Sequence, residues 1–185
     1  MSDKKVGMMV ANGYEEVEML TVVDLLRRAG ITCDIISVTG KKELTSSHRV
    51  TVVADLLYED ADFDSYDALV IPGGMPGTIN LGAHEGVCEQ LKKAYEGGKL
   101  IAAICAAPTV FGKLGLLEGK KAICYPSMED QLTGADVTYE SAVRDGNIIT
   151  SRGMGTAIDF GLAILAYYEG EEAAAALAKK IVYEA

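Results

Sequence analysis

The sequence has no tryptophan, only two histidines and four prolines, and no apolar run approaching the ~18 residues of a membrane span. The first apolar run, Val6 to Ala11, is too short for the core of a secretory leader. The four cysteines (33, 88, 105 and 124) are widely spaced and form no Cys-x-x-Cys pair. That pattern offers neither a zinc framework nor a disulfide scaffold, so reduced thiols in a cytoplasmic setting are expected. Basic charge is also scarce. Seventeen lysines and arginines face 27 acidic residues, for a net charge of -10, which argues against nucleic acid or an anionic membrane as a partner. The shortage of histidine matters most. A cysteine hydrolase of the Cys-His type needs an imidazole within reach of its thiol, and the only candidates, His48 and His84, both precede Cys105.

What is present reads as one α/β domain spanning residues 1–185. Apolar runs of strand length occur at residues 4–11, 31–38, 66–71 and 100–104. Between them, residues 15–29 and 85–96 carry apolar side chains at helical spacing, and Gly30 and Gly97 stop them. Short strands are expected near Glu43–Leu44 and over 50–54, 120–124, 135–138, 142–145 and 147–150, with a turn or short helix over 60–64. Further helices are expected over 75–81, 109–114, 155–168 and 171–181. Alternating strands and helices predict right-handed crossovers and a parallel sheet covered on both faces. The expected fold is therefore a doubly wound, flavodoxin-like sandwich with a small antiparallel addition. Ligands of such folds sit at the carboxyl ends of the strands.

Three segments converge on that edge: Ala11-Asn12-Gly13 with the following helix start, Pro72-Gly73-Gly74, and Ala103-Ile104-Cys105-Ala106. Cys105 ends a strand and precedes a helix. It is either a small buried hydrophobe or a nucleophile lifted from the sheet by a sharp turn. Glu18, in the first turn of its helix, either complements the helix dipole with Glu15 and Glu16 or stands beside Cys105. A carboxyl held beside a thiol in a partly apolar site would keep its proton. Gly73-Gly74 is either a plain turn or a place where backbone amides face a ligand. In the latter case Gly74 and Ala106 form an oxyanion hole. Ser151-Arg152-Gly153-Met154-Gly155-Thr156 is glycine-rich but lacks both the Walker lysine and a GxGxxG spacing. Nucleotide binding is rejected, and Arg152 is the candidate to brace the site or to bind an anionic group. No cofactor and no metal is expected.

Five segments, in order, resemble the ThiJ/PfpI family, in its deglycase and glyoxalase III-like branch. They are Gly13-Tyr-Glu-Glu-Val-Glu18, Asp24-Leu-Leu-Arg-Arg-Ala-Gly30, Val70-Ile-Pro-Gly-Gly74, Ala102-Ala-Ile-Cys-Ala-Ala-Pro-Thr109 and Thr150-Ser-Arg-Gly-Met-Gly-Thr156. The resemblance covers nearly the whole chain. It implies a class I glutamine amidotransferase-like domain, a homodimer, Cys105 as reactive thiol, Glu18 as its acid, and the amides of Gly74 and Ala106 as oxyanion donors. It also implies cofactor-free conversion of small 2-oxoaldehydes or removal of their protein adducts. The alternatives are sensing oxidants through Cys105 and, more weakly, a cysteine peptidase. Two departures stand out. Tyr125 occupies the position before Pro126 where closer relatives carry a histidine. A phenol is a poor base near neutrality, which lowers the expected turnover. His48 stands where relatives place an arginine, with Arg49 following it, so anion binding is expected to shift or to involve Arg28 of a second subunit. Ala106 replaces the histidine that follows the nucleophile in the peptidase branch.

Overall fold

The computed structural model describes residues 2–184. In chain order the elements are β1 (Lys5–Val10), α1 (Glu16–Arg28), β2 (Thr32–Ser37), β3 (Glu43–Thr45), β4 (Thr51–Val53), β5 (Leu56–Leu57), β6 (Ala68–Ile71), α2 (Gly77–Ala83), α3 (Glu85–Glu96), β7 (Leu100–Ile104), α4 (Pro108–Lys113), β8 (Lys121–Ala122), β9 (Asp136–Val137), β10 (Ala142–Asp145), β11 (Ile148–Ser151), α5 (Ala157–Glu169) and α6 (Glu171–Lys180). Seven strands form the main sheet in the order β10-β11-β7-β6-β1-β2-β5, all parallel except β10. This is the flavodoxin-like α/β fold. The expected antiparallel addition is the edge strand β10, joined to β11 through the Gly146 turn, together with the separate β3–β4 ribbon.

Strands β6 and β7 are buried along their whole length, as the middle of a sheet covered on both faces must be. Two apolar clusters lie on opposite faces. One joins β1 side chains such as Val6, Met8 and Val10 to α1 and α5. The other joins Met9, Leu69 and Ile101 to α3 and α4. In α1, Met19, Val22, Val23, Leu25 and Leu26 face inward, each contributing on the order of 1.5–3 kcal/mol by leaving water. A Cβ on Gly161 would lie 2.6 Å from Leu25 Cδ1, so α5 can approach α1 closely only with glycine there.

Several short elements differ from expectation. The strand expected over 120–124 shrinks to Lys121–Ala122, paired parallel with Asp136–Val137 away from the main sheet. Residues 60–64 divide between two 3-10 turns, Tyr58–Asp60 and Phe63–Ser65. The helix expected from residue 155 begins as a 3-10 turn over Met154–Thr156, and α5 itself starts at Ala157. These pieces have two or three hydrogen-bonded residues each, too few for a periodicity to mark.

Strand order reverses between β1 and β6, which leaves a crevice at their carboxyl ends. The loops after β1, β6, β7 and β11 all open onto that edge.

Candidate active site

Cys105 follows β7 directly and sits at φ 65°. A non-glycine residue held there costs about 1–3 kcal/mol and persists only where its surroundings over-determine it. Here the backbone is clamped on both sides. Its N–H donates to Ser151 O at 3.0 Å, and its carbonyl accepts from Tyr125 N–H at 2.7 Å. The turn leaves the side chain half-buried while Ile104 and Ala106 beside it are buried. This is the geometry of a nucleophile elbow, at a backbone position where glycine would be the default occupant. The helix that follows, α4, has only six residues, so its dipole adds little. The local donors are the amides of Ala106 and Gly74, which face the sulfur and oppose the rise in its pKa.

Glu18 is 1% exposed. Its Oε2 accepts the Gly73 N–H at 2.9 Å, and its carboxyl interacts with the Cys105 thiol. The other oxygen, Oε1, has no hydrogen-bond partner among the described residues. Burial raises the Glu18 pKa to about 7, against the pull of its bonds to Cys105 and Gly73. Burial also pushes the Cys105 thiol to about 12, helped by the adjacent carboxylate charge and opposed by the two amides. The two groups titrate as one pair, which gives up a first proton near 7 and holds a second far above neutrality. With one proton to place, two features favour the carboxyl. A protonated carboxyl, unlike a carboxylate, can donate to the adjacent sulfur. The thiolate in turn receives two amide donors. The arrangement sets a buried carboxyl beside a thiol whose sulfur two backbone amides face.

This pairing has a stability consequence. In the unfolded chain Glu18 releases its proton near 4.5, whereas the folded pair holds one up to about 7. The folded pKa is raised, so the stabilisation is complete below about pH 4.5 and is lost as pH rises through 7. The loss amounts to roughly 3 kcal/mol. Glu18→Gln has no such proton. Urea unfolding at pH 4.5 and pH 8 should show this fall in the wild type and its absence in the variant.

The loop geometry explains why this pair forms. Glu15 N–H donates to Gly73 O at 2.9 Å and Gly77 N–H to Gly13 O at 3.1 Å, so the loop after β1 lies back to back with the loop after β6. Gly74, at φ 90°, has no room for a Cβ, which would strike the backbone of Tyr14 and Glu15. Gly73 lies between acid and thiol. Its amide is occupied by Glu18, so only Gly74 of the glycine pair is left to face the thiol with Ala106, and Gly73 positions the acid instead.

The other expected site residues divide. The Tyr125 backbone is bonded to the elbow, and its ring, 51% exposed, reaches the glycine-rich loop: a Cβ on Gly153 would lie 3.5 Å from Tyr125 Cδ2. Arg152 follows Ser151, whose carbonyl holds Cys105 N–H, and is thus carried to the same edge. His48 is held elsewhere, with Nδ1 3.2 Å from Glu16 Oε1 and 3.5 Å from Glu15 Oε2. Ligand atoms of Glu15, Glu16 and His48 lie within 4.8 Å of one another, the one group among the described residues with a metal-ligand donor set. Arg49 forms the β3–β4 turn at φ 68° and is exposed. Arg28 is ten residues along α1 from Glu18, about 15 Å, and pairs with Asp24. From its own chain it does not reach Cys105. His84 caps α3, accepting Val87 N–H on Nδ1 at 3.1 Å. Neither histidine is committed to the thiol. Ser151 was not expected as the anchor of the elbow. Its position two residues before Gly153, in the glycine-rich motif, was the available signal.

Fold and site together define a class: flavodoxin-like α/β proteins that carry a cysteine at the switch-point edge of the sheet. A model of the DJ-1/PfpI family matches residues 4–167, and the chain belongs to that family. It is similar to Protein DJ-1 homolog B of Arabidopsis thaliana, 39% identical over 92% of this chain, which spans only 39% of that longer protein. It is 31% identical to the glutathione-independent glyoxalase DJR-1.2 of Caenorhabditis elegans, covering 90% of this chain and 89% of that one. The crystal structure of Drosophila melanogaster DJ-1beta superposes with a TM-score of 0.94 at 38% identity, covering 100% of each chain. No helix among the described residues is long and apolar enough to cross a membrane.

Proposed function

We propose that the protein is a cofactor-free, cysteine-dependent glyoxalase acting on small 2-oxoaldehydes, with free aldehydes or their protein adducts as substrates. The observation that carries this reading is the buried Glu18 carboxyl, with one unpartnered oxygen, set against a thiol that two amides also face. The Cys105 sulfur attacks the aldehyde carbon and a C–S bond forms. The carbonyl electron pair moves onto oxygen, which the Gly74 and Ala106 amides stabilise and which takes up a proton. Glu18 then removes the proton from the former aldehyde carbon and returns it to the neighbouring carbon, while the hydroxyl proton of the first carbon passes to the neighbouring oxygen, leaving a thioester of the 2-hydroxy acid. Water cleaves the C–S bond and restores the thiol. The net reaction adds one water to the 2-oxoaldehyde. The resemblance to a relative named as a glyoxalase supports the reading. The test is formation of lactate from methylglyoxal with no added thiol, nucleotide or metal. A wild-type protein that forms none overturns the proposal.

A second reading is favoured by Tyr125, which puts an exposed phenol rather than an imidazole at the mouth of the site. In that reading the supported thiolate is oxidised by peroxide, and selective oxidation at Cys105 is the function. Mass spectrometry after mild peroxide treatment separates the two. The peptidase reading lacks a base, because neither histidine is placed at the thiol.

A homodimer belongs to the same proposal. Val17 and Leu20 on the outer face of α1 and Val53 on the β3–β4 ribbon are exposed, and only across such an interface would Arg28 approach a second copy's site.

A further inference from the structure

The turn between β3 and β4 folds back over the start of α1 and is fixed there by backbone bonds. Gly13 N–H donates to Thr45 O at 2.8 Å and Ser47 N–H to Tyr14 O at 2.8 Å, while Asn12 Oδ1 accepts Thr45 N–H at 2.9 Å. Arg49, at φ 68°, closes the turn by donating its N–H to Ser46 O at 3.1 Å. His48 is thereby set against Glu15 and Glu16, the N-cap and first residue of α1. The two glutamate side chains are 13% and 15% exposed, against 67% for His48.

Two features of this mixed imidazole and carboxylate group are those of a coordination shell rather than of ion pairs. The first is charge. Two largely buried carboxylates face at most one positive charge, since no lysine or arginine among the described residues pairs with either. The helix N-terminus offsets only part of the remainder. Carboxylates withdrawn from water are paired or coordinate metal ions. The second feature is distance. Around His48 Nδ1 lie Glu16 Oε1 at 3.2 Å, Glu16 Oε2 at 3.3 Å, Glu15 Oε2 at 3.5 Å and Ser47 Oγ at 3.2 Å. One ring nitrogen carries at most one hydrogen and can serve one of these well. None is as short as the about 2.7–2.9 Å of a charge-assisted hydrogen bond. Donors that share a four-coordinate zinc, with bonds of about 2.0–2.2 Å, lie about 3.3–3.6 Å apart. The spacing of the imidazole from both carboxylates is close to that of donors around one ion.

We infer that Glu15, Glu16 and His48 form a binding site for a divalent cation of the zinc class. His48 Nδ1 and one oxygen of each carboxylate are the protein ligands, and water beside the Ser47 hydroxyl takes the fourth position. An imidazole among the ligands selects zinc over magnesium and calcium, which take oxygen donors. The ion ties the β3–β4 turn to the start of α1. It takes no part in the thiol chemistry proposed above, whose Cys105 and Glu18 are a separate donor set.

Cobalt(II), a spectroscopic substitute for zinc, tests the site when titrated into the wild type, His48→Ala and Glu16→Gln. The wild type should bind one equivalent, with the intense visible bands of a four-coordinate ion and without sulfur-to-cobalt charge transfer in the near ultraviolet. Zinc should displace the cobalt and magnesium should not. Both substitutions should weaken binding at least about tenfold, and alkylation of Cys105 in the wild type should leave it unchanged. Zinc should also raise the thermal unfolding midpoint of the wild type but not that of His48→Ala. His48 is exposed, so the circular dichroism of His48→Ala without metal should match the wild type. No binding of equimolar cobalt or zinc, binding that His48→Ala retains in full, or binding lost on alkylation of Cys105 overturns the site. The last of these results would move the ion to the thiol.

Discussion

Cys105→Ser is expected to lower kcat/KM for methylglyoxal by at least about a thousandfold, which corresponds to roughly 4 kcal/mol of transition-state stabilisation. The substitution is nearly isosteric, so the elbow, its bonds to Ser151 and Tyr125, and the two amides should all persist. What disappears is the ability of the one-proton pair to place its charge on the nucleophile. A serine hydroxyl does not ionise near neutrality, and a carboxyl with a pKa of about 7 is too weak a base to deprotonate it to any useful extent. No imidazole stands in: His48 is held by Glu15 and Glu16, and His84 caps α3. Residual activity should reflect binding and amide stabilisation alone. Initial rates of 2-hydroxy acid formation measure the effect. Undiminished turnover in Cys105→Ser would remove the thiol from the mechanism.

Gly73→Ala should come next in size, with a loss of at least about a hundredfold in kcat/KM from a change outside the reacting atoms. The added Cβ would lie 2.5 Å from Cys105 Cβ, 2.7 Å from Glu18 Oε2 and 3.0 Å from Ile104 O. Two of these are the functional side chains, and the third is backbone in the middle of the sheet edge. Neither side can yield freely. Glu18 is anchored in a packed helix, Cys105 is clamped through its own amide and carbonyl, and the 73–74 loop is pressed against Tyr14 and Glu15 from behind. Relief therefore requires separating acid from thiol. Some stability should be lost as well, on the order of 1–3 kcal/mol for overpacking, so urea unfolding must accompany the kinetics. Gly155→Ala is the matched control. That glycine also lies in a site loop, but an added Cβ meets nothing within 4 Å. Its substitution should leave both measurements nearly unchanged.

The central elements were readable because long features carry strong patterns. The runs at residues 66–71 and 100–104 are continuous and apolar, as buried parallel strands are, and the apolar positions of α1 recur at helical spacing. Convergence of Glu18, the Gly73–Gly74 turn and Cys105 followed from topology alone, since loops after parallel strands share one edge. Three things were not readable. The strand at Leu56–Leu57 was not expected, and the extent of those expected over 120–124 and 135–138 was overread, since Lys121–Ala122 and Asp136–Val137 contain two residues each and exist only through their tertiary partners. Gly74 was expected to face the thiol, but what the neighbouring Gly73 amide does depends on peptide orientation. The structure gives Gly73 to Glu18 and leaves Gly74 to Cys105, a division no spacing encodes. The fate of His48 depended on a ribbon folding back over the start of α1, where two half-buried glutamates take the ring. Arg28, by contrast, could have been placed from helix geometry, since ten residues of rise separate it from Glu18.

The proton shared by Glu18 and Cys105 is the centre of this account, and the rate of Cys105 alkylation as a function of pH tests it most directly. In the wild type the rate should rise with pH through an inflection below the ordinary thiol value of about 8.5. The first proton of the pair then leaves from sulfur while the carboxyl keeps its own. In Glu18→Gln the amide can accept the Gly73 N–H and donate to sulfur, so the inflection should also stay below the ordinary value even though turnover is lost. Cys105 titrating like a free cysteine in both proteins would contradict the account and return this residue to the packed core.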